Sequence, residues 1–182
     1  MHNLTKNFVC LFVLFISCTM NAQITFSNPV IYSDVPDMDA VRVGNDYWMV
    51  STTMHFSPGA PIMHSTDLVH WETVNYIFDT LNDSPKNNLE GGNVYGRGQW
   101  AASLKYHKGK FYCFFGTGAK SFLYSTTDPR KKWKIIWQSD TYYHDAAFLS
   151  TTTIGPSFSS MVHIYNYVSS IRTFVQDSRK MA

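Results

Sequence analysis

Cysteine that could stabilise a fold is nearly missing from this chain. Of its three cysteines, Cys10 and Cys18 fall in an apolar N-terminal segment, leaving Cys113 alone in the remainder. One thiol cannot close an internal disulfide, so stability must come from packing or from a partner. Charge of one sign is also lacking. The 15 Lys and Arg against 13 Asp and Glu give no drive toward nucleic acid or an acidic surface. The apolar run Phe8 to Ile16 is too short to span a bilayer comfortably, so no membrane span is expected. Helical periodicity is missing beyond residue 22. No His, Cys and Asp cluster has ligand spacing, so neither a metal nor another cofactor is expected.

The N-terminus reads as an export signal over residues 1–22. Lys6 supplies positive charge, Phe8 to Ile16 is apolar, and Asn21-Ala22 offers a small residue before Gln23. A secreted or periplasmic protein is expected. Ser17-Cys18 leaves a lipoprotein as the alternative, with Phe15 an unfavourable neighbour for it.

What the chain does have is aromatic side chains: 13 Phe, 11 Tyr and 5 Trp. Such residues suit pleated, half-buried surfaces, and they also serve as platforms for sugar rings. The alternation from Ala40 to Ser51 predicts two strands around Gly44-Asn45-Asp46, and Leu104 to Phe115 repeats the pattern around Lys108-Gly109-Lys110. Ile62 to Trp71 is a strand, a turn and a tryptophan; Phe122 to Trp133 copies that layout 62 residues on. One all-β unit written twice suggests propeller blades. In that reading Trp71 and Trp133 both belong to the core, and His64 is a satisfied polar residue in a strand. Residues 82–98, rich in Asn, Gly and Asp, are expected to form a functional loop.

Four ordered segments resemble family 43 glycoside hydrolases. They are Asn28-Pro-Val-Ile-Tyr-Ser-Asp-Val-Pro-Asp37 with its Val-Arg-Val-Gly hairpin, the stretch Ser51 to Trp71, Gln99-Trp-Ala-Ala to Tyr112, and Tyr143-His-Asp-Ala-Ala-Phe148. The resemblance implies an all-β, five-bladed β-propeller, of which residues 23–149 supply the first two to three blades. It also implies hydrolysis of β-xylosides or α-L-arabinofuranosides of plant polysaccharide, with inversion, on an oligosaccharide or polysaccharide substrate. Asp37 stands where that family has its general base, and Asp145 where a second Asp tunes the pKa of the acid. Trp100, His55 and Phe56 fall where the sugar pocket is lined.

The residues alone leave other roles open. Asp34, Asp37 and Asp39 surround a proline, where aspartates often cap turns, and Asp39 competes with Asp37 for the base. Ala146 and Met38 each replace a proline of the family pattern. Trp100 could equally be a buried blade residue.

The resemblance is expected to end at Phe148, before the catalytic acid. Read one base out of frame, the codons after Leu149 permit Phe-Asp-Asp-Asp-Asn-Arg and later Phe-Tyr-Gly, both family-like. Residues 150–182 are therefore expected to be a frame-shifted tail, the alternative being a divergent C-terminus. Five blades need more than about 200 residues, so the chain alone is expected to fold poorly and lack activity. A non-catalytic carbohydrate-binding propeller, or a pseudogene product without a role, remains as an alternative.

Overall fold

The computed structural model describes residues 25–118, 120–145, 147–151 and 161–165. The expected export signal and most of the expected frame-shifted tail lie outside them. The chain divides into two compact units, Met1–Val30 and Ile31–Ala182. Residues 25–30 of the first unit carry bends and no strand.

The second unit is built from antiparallel meanders. The first sheet runs β1 (Asp39–Val43), β2 (Asp46–Val50), β3 (Gly59–Ser65) and β4 (Glu72–Phe78), paired in that order. The second repeats it with β5 (Ser103–His107), β6 (Lys110–Thr117), β7 (Lys120–Thr126) and β8 (Lys134–Ser139). A third begins with β9 (Ala147–Thr151), paired antiparallel with β10 (Met161–Tyr165). These are two complete propeller blades and the start of another. A short 3₁₀ turn, Pro85–Asn88, interrupts the long loop between the complete blades.

Local sequence explains the hairpins. β5 and β6 join through Lys108 and Gly109, both at positive φ (48° and 79°), as a two-residue primed turn demands. The two Ser-x-Asp-type corners match as well. Ser65 Oγ accepts from Leu68 N at 2.9 Å, and Asp67 Oδ1 from His70 N at 2.8 Å. In the second blade Thr126 Oγ1 accepts from Asp128 N at 3.3 Å, and Asp128 Oδ1 from Arg130 N at 3.0 Å. Both outer pairs, β3–β4 and β7–β8, carry a register shift, the kind of irregularity that twists an exposed edge away from pairing with other chains.

The core lies between blades. Trp48, Val50, Ile62, Ile77 and Phe78 of the first pack with Leu104, Phe111, Cys113, Phe115 and Trp133 of the second. The pleat turns Phe114 and Leu123 to the opposite face, against Trp137 and Tyr143. Polar ties reinforce the seam. Asn75 Nδ2 donates to Pro129 O (2.9 Å) and Lys131 O (2.7 Å). The Arg130 guanidinium lies 4.6 Å from the Trp48 ring and 3.2 Å from His64 Nδ1, while His64 Nε2 meets Asp46 Oδ1 at 2.6 Å. His64 is thus a satisfied strand residue.

Trp71 departs from expectation. Trp133 is 4% exposed, but Trp71 is only half-buried and outside the core. Each indole N–H finds the carbonyl of its own turn, Leu68 O for Trp71 and Pro129 O for Trp133. The difference is the neighbour: β4 of the first blade lies against the Trp133 turn, and Trp71 has no such cover among the described residues.

Candidate active site

The first strands of successive blades, β1, β5 and β9, lie side by side. Asp39, which opens β1, accepts from Leu104 N in β5 at 2.8 Å, so these two strands begin at the same end of the molecule. Strand pairing adds the end of β2, with Val50 opposite Asp39, and β6 from Phe114 onward, Phe114 lying opposite Ser103. Asp37, Trp100 and Asp145 stand on the segments that lead into β1, β5 and β9, and His55 and Phe56 on the loop between β2 and β3.

Asp37 lies two residues ahead of β1 with φ 51°, a left-handed conformation that Asp tolerates better than most residues. Its turn is pinned from the end of β2. Ser51 Oγ and Thr52 N both donate to Pro36 O, at 2.6 and 3.1 Å. Thr52 Oγ1 donates to Asp37 Oδ2 at 3.1 Å. The carboxylate is exposed, and its other oxygen has no protein donor among the described residues, so it is free to meet water.

Asp39 is placed differently. Half-buried, it receives Leu104 N and the Lys105 ammonium (2.7 Å), with Ser103 Oγ at 3.4 Å. Its carboxylate clamps the first blade to the second, and Asp37 is left as the open carboxylate of the pair.

Asp145 mirrors Asp37. It precedes β9 by two residues and is also left-handed, at φ 46°. Its Oδ2 lies 3.0 Å from His144 Nδ1, with the side chain 56% exposed. Burial, with a smaller contribution from the Asp145 charge, raises the pKa of the nearby Tyr142 hydroxyl.

Trp100 stands three residues ahead of β5, half-buried, and its N–H donates to Gly116 O at 3.2 Å. Gly116 lets the Tyr142 ring lie against its backbone, since a Cβ there would come within 2.4 Å of the ring and push it aside. Trp100 and the approach to Asp145 are therefore joined through one residue of β6.

His55 and Phe56 form an aromatic cluster with Tyr95, which the sequence reading had not singled out. The His55 ring lies 4.3 Å from Phe56 and 4.7 Å from Tyr95, and Gly96 N donates to His55 Nδ1 at 3.2 Å. Phe56 and Tyr95 are 61% and 80% exposed. The two segments meet so closely that Gly98, at φ 112°, would put a Cβ 2.2 Å from Met54 O.

Gln99, also missed, ties the parts together. Fully buried, its Oε1 accepts from Thr53 N (2.8 Å) and Thr53 Oγ1 (3.1 Å), while its Nε2 donates to Trp100 O. Its backbone bridges Met54 and Thr117. The only sequence signal was a polar residue just ahead of an aromatic strand. Contacts thus run from Asp37 through Thr52, Thr53, Gln99, Trp100 and Gly116 to Tyr142, three residues from Asp145. Among the described residues no group of three or more His, Cys, Asp or Glu side chains could hold a metal.

The model of a family described as glycosyl hydrolases family 43 matches residues 26–156, running past Phe148, where the resemblance had been expected to end. A β-xylosidase of Formosa agariphila is 41% identical over 90 residues, 50% of this chain and 15% of that protein. A non-reducing-end α-L-arabinofuranosidase of Bacteroides ovatus, BoGH43B, is 35% identical over 148 residues, 78% of this chain and 27% of that protein. The solved structure of a bifunctional GH43-CE protein of Bacteroides eggerthii aligns with TM-score 0.69 and 41% identity, over 79% of this chain and 20% of the other. The chain therefore spans no more than about a quarter of the length of these relatives.

Proposed function

The chain belongs to glycosyl hydrolases family 43, and from that premise we propose that its parent protein hydrolyses β-xylosides or α-L-arabinofuranosides of plant polysaccharide with inversion. The observation that carries this reading is the matched placement of Asp37 and Asp145. Each stands two residues ahead of the first strand of its blade in a left-handed conformation, with Trp100 ahead of the blade between.

In this reading Asp37, held by Thr52 and open on its other oxygen, takes a proton from water as the water attacks the anomeric carbon. A carboxylic acid outside the described residues protonates the leaving oxygen. The two carboxyl groups stand about 6.5–9.5 Å apart to admit that water. Asp145 raises the pKa of the acid by like-charge repulsion. Trp100, His55, Phe56 and Tyr95 shape the sugar pocket. The names of the relatives in Formosa and Bacteroides support the substrate classes.

The N-terminal 22 residues support export of the protein to the periplasm or beyond. A one-base frame change near Leu149 would account for residues 150–182, whose codons one base out of frame permit the family-like Phe-Asp-Asp-Asp-Asn-Arg and Phe-Tyr-Gly.

The test is to express the gene in the written and the shifted frame and assay both on aryl β-xylosides and aryl α-L-arabinofuranosides, following the product anomer by NMR. The shifted frame is expected to hydrolyse one of them with inversion. Asp37→Asn should lower kcat about 10²–10⁴-fold with KM little changed. Oligosaccharide binding without turnover would instead favour a binding propeller, for which the exposed His55–Phe56–Tyr95 cluster suffices.

A further inference from the structure

A groove of about 590 Å³ separates the outer strand of the first blade from the turn leading into β8 of the second. It belongs to β4, the opposite edge of the sheet from β1, and so stands apart from the mouth where Asp37 lies. Tyr76, 39% exposed, forms one wall and the buried Trp133 forms part of the base. Asn75 fixes the width by holding the carbonyls of Pro129 and Lys131.

The rim is cationic. Arg130, Lys131, Lys132 and Lys134 line it against a single carboxylate, Asp79. Two of the four are engaged, Arg130 with Trp48 and His64 and Lys131 with Asp128 at 3.7 Å. Lys132 and Lys134 are exposed and have no carboxylate within ion-pair distance among the described residues.

We propose that this groove is a second saccharide site that takes an acidic sugar, with a uronate ring against Tyr76 and its carboxylate between Lys132 and Lys134. A neutral sugar would have no use for the two free ammonium groups, and a small inorganic anion none for the aromatic wall. The volume lies within the range of small-ligand pockets. The proposal rests on the glycan-directed reading above only for its choice of polymer. The site would hold a glucuronate-bearing chain while the mouth works on neutral linkages.

The test is native affinity electrophoresis of the protein expressed in the written and in the shifted frame, which share every groove residue, in gels carrying glucuronoxylan, the same polymer with its carboxyl groups reduced, or dextran sulfate. Glucuronoxylan is expected to retard the protein more than its reduced form, and salt to weaken the effect. Lys132→Gln with Lys134→Gln, or Tyr76→Ala, should lower the affinity about tenfold, and Tyr76→Phe should keep it. Near-UV circular dichroism checks that each variant is folded. Equal retardation by the reduced polymer, or by dextran sulfate regardless of Tyr76, would overturn the proposal. So would indifference to all the substitutions. Asp37→Asn should leave the retardation unchanged, so the groove and the mouth stand or fall separately.

Discussion

At the scale of single residues, the structure separates carboxylates that look alike in sequence. Asp37 and Asp39 stand two positions apart, yet one faces solvent beside Thr52 and the other is fastened to Leu104 and Lys105. Asp67 plays a third part. The His70 side chain, then the backbone N–H groups of His70 and Val69, hold its carboxyl well below its ordinary value of 3.8. A carboxyl whose folded pKa is depressed stabilises the fold above the unfolded value and loses that contribution as pH falls through the folded one. Urea unfolding followed downward from pH 4 should therefore show a steeper loss of stability for the wild type than for Asp67→Asn. The effect will be small because the side chain is exposed at a solvated turn, and identical acid arms would remove Asp67 from the account. Periodicity cannot make such distinctions, because a hydrogen-bond partner 15 or 65 positions away leaves no mark on the neighbouring residues. Gln99 escaped notice for the same reason. Its partners at Thr53 lie 46 residues back, and no composition rule marks a glutamine as buried.

At the scale of elements, strands and hairpins were legible because period-two alternation and Gly-bearing turns are local signals. The two-blade repeat, its matched corners and the loop ahead of Gln99 all stand where the sequence put them, apart from the 3₁₀ turn at Pro85–Asn88. Trp71 and Trp133 show where repetition misleads. Equivalent positions share a local turn but not a neighbour, and burial depends on the neighbour. Trp133→Ala should cost about 3–5 kcal/mol, as for other large aromatics removed from a core, whereas Trp71→Ala should cost about 1 kcal/mol or less. Denaturant midpoints of the two variants decide this. Comparable losses would mean that Trp71 is covered after all.

At the scale of the whole molecule, blades adhere through apolar faces, and the thiol of Cys113 is sealed inside the first such contact. Burial, with a smaller contribution from the Asp39 charge, pushes its pKa well up, and the adjoining Tyr124 hydroxyl is pushed up to about 12. Cys113 should accordingly resist a disulfide exchange reagent at pH 8 in the native protein and react once the blades part. Rapid modification of the native protein would show that the first two blades do not stay closed. The meander order has a further effect, in time rather than in space. Every pairing within a blade joins strands that follow one another in the chain, and the blade-to-blade core joins one blade to the next made. As synthesis delivers the polypeptide from its N-terminus, the first blade can hydrogen-bond fully once Phe78 has emerged. Its apolar face must then wait for β5 to β8, so the exposed interval is set by how fast some 60 residues arrive, roughly 3–12 s at translation speed.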